Sequence, residues 1–195
     1  TVVLGGLSVL YAGTDEQKKA FLPRIAEGEQ ILTLALTERS GRCDADGVEA
    51  RASREGDGYL LSGTKLFVPD AHLADYFLWA ARTGEGQGAE GITLFLIDGK
   101  DPGVRCTQLP LLSSEKLCEV TLHGVKVPPA HVLGEVGRGW DVLRWVLERA
   151  ATAESLWMVG GAQQVLEMTV TFAKERIQFD RPIGSFQAIQ HKIAN

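Results

Sequence analysis

Residues 174–192 read KERIQFDRPIGSFQAIQHK, and the reading of the chain starts from this stretch. Leu166, Val170, Ala173 and Ile177 recur at the three-and-four spacing of one buried helical face, so residues 167–178 read as the end of a helix. Arg181, Pro182 and Gly184 interrupt that pattern. Ser185 offers a hydroxyl as N-cap of a new helix, with Phe186, Ala188, Ile189 and Ile193 on its apolar side. Between the helices stand Arg176, Gln178, Phe179, Arg181 and Gln187: two guanidinium groups and two amides around one aromatic ring. A guanidinium fork suits a phosphate and a planar ring or amide suits an adenine, so the turn could clamp a nucleotide. A solvated helix–turn–helix corner has the same composition, and residue types alone leave both readings open.

Upstream of this stretch the period changes. Segments 31–36, 48–53, 59–68, 76–81, 92–97, 104–108 and 118–127 alternate in the manner of strands. Gly56-Asp57-Gly58, residues 84–91 and Asp101-Pro102-Gly103 supply turn signals between them, the glycine-rich 84–91 reading as a mobile hairpin loop. Strands so closely connected predict an antiparallel barrel or sandwich over about residues 30–133. Ahead of them, residues 1–11 read as the last turns of a buried helix, which Gly13 breaks. Thr14 can cap a second helix, with Asp15 and Glu16 in its first turn, Gln17 at the capping-box position and Phe21, Leu22 and Ile25 facing inward. Gly28 stops that helix. After Gly134 and Gly137-Arg138-Gly139 the helical period returns, and residues 140–160 and 161–178 carry apolar faces broad enough for a bundle. The order of helix, strands and helix predicts an α+β chain.

Composition narrows the classes of function. The 195 residues are 45% hydrophobic and 23% charged, which suits a globular chain with a sizeable core. A net charge of -5 with no Lys/Arg stripe argues against a nucleic-acid surface. No apolar run approaches the roughly eighteen residues that span a membrane. Cys43, Cys106 and Cys118 are odd in number and lack metal-ligand spacing; they read as reduced thiols of a cytoplasmic protein, with Cys106 and Cys118 as small hydrophobes. His72, His123, His131 and His191 are scattered and pair with no Ser or Cys in a nucleophile motif. There is neither a Walker loop nor a GxGxxG. The first residue is Thr1 and Asn195 falls within an apolar-periodic helix, so both ends read as cut.

Two loops carry the remaining chemistry. LALTERSGRCD, residues 34–44, is a strand ending in Thr37-Glu38 followed by small and polar residues. Such a loop exposes backbone N–H groups and the Thr37 hydroxyl, on which a flat heterocycle with polar edges could rest. A strand-end turn has the same composition. GTKLFVP, residues 63–69, ends a strand in an aromatic ring that could stack on such a heterocycle, or pack in a core.

With these segments in hand, the chain resembles the acyl-CoA dehydrogenase family, FAD-dependent enzymes that oxidise acyl-CoA thioesters between the α and β carbons. Four segments carry the resemblance in order and spacing: Gly13-Thr14-Asp15-Glu16-Gln17-Lys18 with Leu22-Pro23; Leu36-Thr37-Glu38 with Asp44; Gly63-Thr64-Lys65 with Phe67; and Arg176, Phe179, Arg181, Pro182, Ile183, Gly184 and Phe186-Gln187. The resemblance implies the end of an α-helical domain over 1–29, a β-barrel middle domain over 30–133, and over 134–195 the start of a C-terminal four-helix bundle. It places Leu34, Leu36, Thr37, Cys43, Phe67, Val68 and Pro69 against a flavin, Arg176, Gln178 and Gln187 on the FAD of a neighbouring subunit, and Cys43 and Glu148 beside the substrate. It further implies a homotetramer or mixed tetramer, and an electron-transfer flavoprotein as the electron acceptor.

Departures from the family pattern are concentrated at the same places. Arg39, Ser40 and Arg42 replace small residues or proline in the first loop, Cys43 stands for a serine, and Pro69 for a threonine beside the flavin. Arginines there are expected to crowd the loop, and a proline offers neither hydroxyl nor N–H. Ala151 stands where the family often has a substrate-facing arginine, and Ala150 where some members carry the catalytic base. No catalytic residue is therefore assigned within the chain. Three readings fit: a dehydrogenase with altered loops, a non-catalytic partner subunit of a mixed assembly, and a flavin monooxygenase or nitroalkane oxidase on the same fold.

Overall fold

Every period-two segment carries a strand in the computed structural model, which describes residues 1–86, 88–112 and 114–194. The strands are β1 (Leu32–Ala35), β2 (Arg51–Glu55), β3 (Gly58–Pro69), β4 (Tyr76–Arg82), β5 (Ile92–Asp98), β6 (Val104–Gln108) and β7 (Leu117–Val127), joined by a short β8 (Val132–Leu133). β2 starts at Arg51 rather than Val48 because residues 45–47 coil into a 3-10 turn, capped where Asp44 Oδ1 accepts the Gly47 N–H at 3.1 Å. The pairing order is β6-β7-β3-β2-β4-β5-β8 with β1 beside β4, a path that does not close on itself. The sheet is also mixed, where antiparallel pairing alone was expected. β1 runs parallel to β4, from Leu32 opposite Tyr76 to Ala35 opposite Trp79. Parallel neighbours need a crossover between them, and the β2–β3 hairpin supplies it.

Alternation along the central strands builds two cores. Phe77, Trp79 and Ala81 of β4 and Phe95 and Ile97 of β5 point to an inner cluster with Leu61, Val120 and Leu122. Their neighbours Leu78, Ala80, Leu94 and Leu96 point the other way, to a cluster covered by Val9, Phe21 and Ile25 of the N-terminal helices and by Val142 and Leu143. Strands buried on both faces explain why residues 92–97 are apolar except for the buried Thr93.

The helices that cover the outer face form where the sequence signals them. A π-helical turn (Val2–Gly6) leads into α1 (Leu7–Ala12), and α2 (Asp15–Ala26) follows. Thr14 Oγ1 accepts the Gln17 N–H at 3.2 Å, while Gln17 Oε1 accepts the Thr14 N–H at 3.0 Å, which completes the capping box. The same Gln17 side chain donates through Nε2 to Ala130 O at 2.8 Å and Val132 O at 2.9 Å, tying α2 to the start of β8. α3 (Gly139–Glu175) begins against β5, where a side chain on Gly139 would meet Leu94 Cγ at 2.9 Å.

The chain divides into two compact units, residues 1–149 and 150–195. In the second, α3 runs through Gly160-Gly161 without a break and ends at Glu175, earlier than the expected 178. Ile177–Gln178 (β9) pairs with Arg181–Pro182 (β10) in a hairpin instead. Ser185 is not a helix cap: its hydroxyl donates to Pro182 O at 2.7 Å within a 3-10 turn, and α4 (Gln187–Ala194) starts after Phe186. Gly184 lies so close to α3 that a side chain there would meet Ala173 O at 2.9 Å.

Two further expectations are corrected. The 84–91 connection, of which Gln87 lies outside the described residues, is held rather than loose. Arg82 reaches into it, Nη1 donating to Gly86 O at 3.0 Å and Glu90 O at 3.1 Å, and Nη2 to Gly88 O at 3.1 Å. Cys118 is buried as expected, but Cys106 is exposed because it sits on β6 at the sheet's edge; all three thiols are free. Among the described residues no helix is long and apolar enough to cross a membrane, and no group of three His, Cys, Asp or Glu could hold a metal.

Because Gln17 makes one interaction of the cap and two of the tertiary structure, its loss is expected to exceed that of the cap alone. Thr14→Ala should cost about 1 kcal/mol. Gln17→Ala, which leaves the Ala130 and Val132 carbonyls without this donor, should cost about 2–3 kcal/mol. Urea unfolding of the two variants checks the order.

Candidate functional site

The two loops singled out in the sequence meet through a buried ion pair. After β1 the chain stays buried at Leu36 and Glu38, with Thr37 half-buried between them. Glu38 Oε1 accepts the Glu49 and Ala50 N–H groups, each at 3.0 Å, and Lys65 Nζ at 2.6 Å. Lys65 Nζ also donates to Leu36 O at 3.1 Å and lies 5.5 Å from the Trp79 ring centroid. The Leu66 N–H donates to Thr37 O at 2.8 Å. Three consecutive residues of the first loop are thus each gripped by residues 65 and 66 of the second. Lys65 has no exposed surface, and burial pushes its amine down to about 8 despite the Glu38 carboxylate beside it. Removing one member of such a pair typically costs about 3–5 kcal/mol, because the other charge is left buried.

Immediately beyond Lys65 the β3–β7 register shifts, and the irregularity spans Leu66 and Phe67. Phe67 takes φ 55 and stands 48% exposed. A left-handed backbone costs a non-glycine residue roughly 1–2 kcal/mol, so the surrounding structure must hold it there. Val68, at 1% exposure, turns its side chain into the inner core, and beyond the shift it pairs with Cys118 of β7. Pro69 is exposed, and its carbonyl accepts the buried Thr33 hydroxyl at 2.8 Å.

Of the expected first-loop residues, Leu34 and Leu36 are buried in the outer core, Thr37 is half-buried and Cys43 is exposed. Thr37 Oγ1 and Cys43 Sγ stand 3.7 Å apart. Arg42, expected to crowd this loop, turns its side chain onto the acidic residues that follow it. Its guanidinium grips Asp44 with two bonds, Nε to Oδ1 at 2.9 Å and Nη2 to Oδ2 at 2.7 Å, and approaches Asp46 at 3.3 Å. That contact holds the Asp44 carboxyl below its ordinary range. Arg39 lines a cleft of about 380 Å³ with Thr64, Leu66 and Glu119. Arg82, which the sequence reading passed over, anchors the far end of the loop by donating to Ala45 O at 2.8 Å and Val48 O at 2.7 Å.

The hairpin of the second unit presents the other expected group. Phe179 and Asp180 at its tip have φ 55 and 63, the two positive values that a tight two-residue hairpin turn requires. Phe179 is 85% exposed. Arg181 stacks its guanidinium 4.1 Å from the Phe186 ring, which Phe179 meets edge-on at 6.0 Å. Arg176, Gln178 and Gln187 are exposed around this stack. Glu148 is exposed on α3 in the first unit.

Comparison with known proteins follows this geometry closely. The model of the acyl-CoA dehydrogenase middle domain matches residues 33–125, and that of the acyl-CoA dehydrogenase C-terminal domain matches residues 137–195. A 3-(aryl)acrylate reductase of Clostridium sporogenes is 37% identical over 193 residues, covering 97% of this chain and 51% of the relative. The solved butyryl-CoA dehydrogenase of Megasphaera elsdenii superposes with a TM-score of 0.95 at 30% identity, over 100% of this chain and 52% of that one. A glutaryl-CoA dehydrogenase of Mycobacterium smegmatis, solved in complex with FADH2, gives 0.88 at 30% identity, over 96% of this chain and 48% of that one. The chain therefore spans about half the length of the relatives it matches.

The depressed amine of Lys65 gives stability an unusual pH dependence. An unfolded lysine keeps its proton to about 10.4. Between about 8 and that value the unfolded chain binds more protons than the folded one, so stability from this group rises with pH. Thermal midpoints of wild type minus Lys65→Met, measured from pH 7 to 10, should climb across this window. A flat or falling difference contradicts the assignment.

Proposed function

The chain belongs to the acyl-CoA dehydrogenase family, and from that premise we propose that it forms the flavin-bearing part of an FAD-dependent oxidoreductase acting on an acyl-CoA thioester. What supports this most is the joining of residues 36–38 to residues 65 and 66, with the strained Phe67 ring turned outward beside Pro69. The residue types suit an isoalloxazine: an exposed aromatic face, the Thr37 hydroxyl and the Cys43 thiol as polar partners, and Arg42 drawn aside onto Asp44. Leu34, Leu36 and the buried Val68 would support the cradle from beneath, with the ring of Pro69 at its surface.

FAD, when bound, supplies a hydride acceptor. The chain's residues bind and orient: Thr37 and Cys43 present hydrogen-bonding groups, Phe67 offers its ring, and Glu148 with Cys43 would face the thioester. Arg176, Gln178 and Gln187, exposed on the hairpin and the first turn of α4, would reach the FAD of a second subunit in a homotetramer or mixed tetramer. An electron-transfer flavoprotein would take the electrons onward. Proton abstraction needs a carboxylate over the substrate's α carbon. The family's position for it on this helix holds Ala150, which cannot serve.

A second reading has its own support. The relative at 37% identity is named for reduction of an arylacrylate, so the same cradle would serve addition of a hydride to a conjugated double bond. A third is a partner subunit without catalysis, which the altered first loop, Pro69 and the alanine at 151 favour.

Titration with FAD followed by flavin fluorescence tests the shared premise, and saturable binding is expected. Pro69→Thr should tighten it about three- to tenfold by restoring one hydrogen bond of roughly 0.5–1.5 kcal/mol. Anaerobic addition of acyl-CoA thioesters to FAD-loaded residues 1–195 should leave the flavin oxidised, since Ala150 offers no base. Bleaching that disappears in Glu148→Gln, or in Glu154→Gln one turn beyond Ala150 on α3, would show that the base lies in this stretch.

A further inference from the structure

The buried pair does more than its burial requires. Glu38 already has two backbone N–H donors in Glu49 and Ala50, so the carboxylate does not need Lys65 to be hydrogen-bonded. Replacing a buried ion pair by apolar or neutral groups of similar size is often neutral or stabilising. What this pair adds is register. It fixes residues 36 and 38 against residue 65, directly before the shift at which Phe67 enters its left-handed conformation. Between the two loops the remaining bond is that of Leu66 N–H to Thr37 O; beyond the shift the second loop is held by Val68 and Pro69 pairing with Cys118 and Leu117, by the Thr33–Pro69 bond and by the Asp70 N–H to Lys116 O at 2.8 Å. Strained residues persist only where their surroundings over-determine them.

We propose that Lys65 and Glu38 are positioning residues: they touch no ligand, hold the two loops in register, and keep Phe67 turned outward, so that the cradle's affinity depends on them. The inference rests on the reading of these loops as a flavin cradle. In the pair's absence the first loop keeps the Arg42–Asp44 clasp and the Arg82 anchor at its far end, so the loosening is confined to residues 36–38 and 65–69.

The test is the double variant Glu38→Gln/Lys65→Met, in which both charges are removed at nearly constant volume. Native-state hydrogen exchange separates local loosening from global destabilisation. Amides of residues 36–38 and 65–68 should exchange at least about tenfold faster than in wild type, after correction by the core amides of β4 and β5. FAD affinity should fall by about tenfold or more, since the cradle must be ordered anew on each binding. Uniform acceleration across all strands, or local loosening with unchanged FAD affinity, overturns the proposal. Should the double variant fail to fold, Glu38→Asp keeps the charge and shortens the reach, and the same local pattern is expected at smaller amplitude; protection unchanged in that variant overturns it as well. A wild-type protein that takes up no FAD refutes the flavin reading instead, and the exchange pattern still decides whether the pair holds the loops.

Discussion

A lysine with no exposed surface, 2.6 Å from a buried glutamate, is the constraint on which the arrangement of this chain depends. Neither charge is tolerated in an apolar interior alone, so each dictates where the other's strand must lie. Glu38 follows β1 and Lys65 sits within β3, and their meeting brings the start of the first loop onto the second. β1 reaches that point by pairing parallel to β4, after which the β2–β3 hairpin carries the chain back to it. The mixed sheet and the ion pair are therefore one feature seen at two scales. Trp79 lies beneath the Lys65 amine, and its own Nε1–H is buried without a partner among the described residues. The inner core thus tolerates one unsatisfied donor next to a paired charge, as expected where polar placement serves something other than stability.

Much of this was legible in the residues. Period-two runs marked every strand from β1 to β7, since strands buried on one or both faces have to alternate or run apolar. Thr14 and Gln17 announced the capping box, because that reciprocal bond depends on two residue types three apart. Less legible were features decided at a distance. Nothing local distinguishes Ile177 as a strand residue from the last turn of a helix; the hairpin wins because Arg181 and Pro182 pair with it. Ser185 looks like a cap, yet its hydroxyl finds Pro182 O three residues back. Cys106 alternates like a core residue, and its exposure follows only from β6 ending the pairing order.

The candidate site divides in the same way. Thr37, Phe67 and Pro69 were visible as a pattern, and the structure brings their loops together. Of the partners that do the bringing, Glu38 and Lys65 stood in the quoted segments without a role, and Arg82 was not singled out. A lysine at an inward position of β3 and an arginine at the end of β4 look like ordinary polar punctuation in sequence. In space, Lys65 joins the loops, and Arg82 uses its guanidinium on backbone carbonyls of residues 45, 48, 86, 88 and 90. The one sequence-level signal for both is a basic residue where the alternation calls for an apolar one. Arg42 teaches the converse: a bulky side chain in a tight loop need not obstruct it when two carboxylates two and four residues away draw it aside.

Crystallisation of the protein with FAD tests the central claim most directly. The account predicts an isoalloxazine ring in van der Waals contact with Thr37, Cys43, Phe67 and Pro69, with the Lys65–Glu38 pair intact behind them. A flavin seated elsewhere on the chain, or a Phe67 ring turned inward beneath it, would contradict the account.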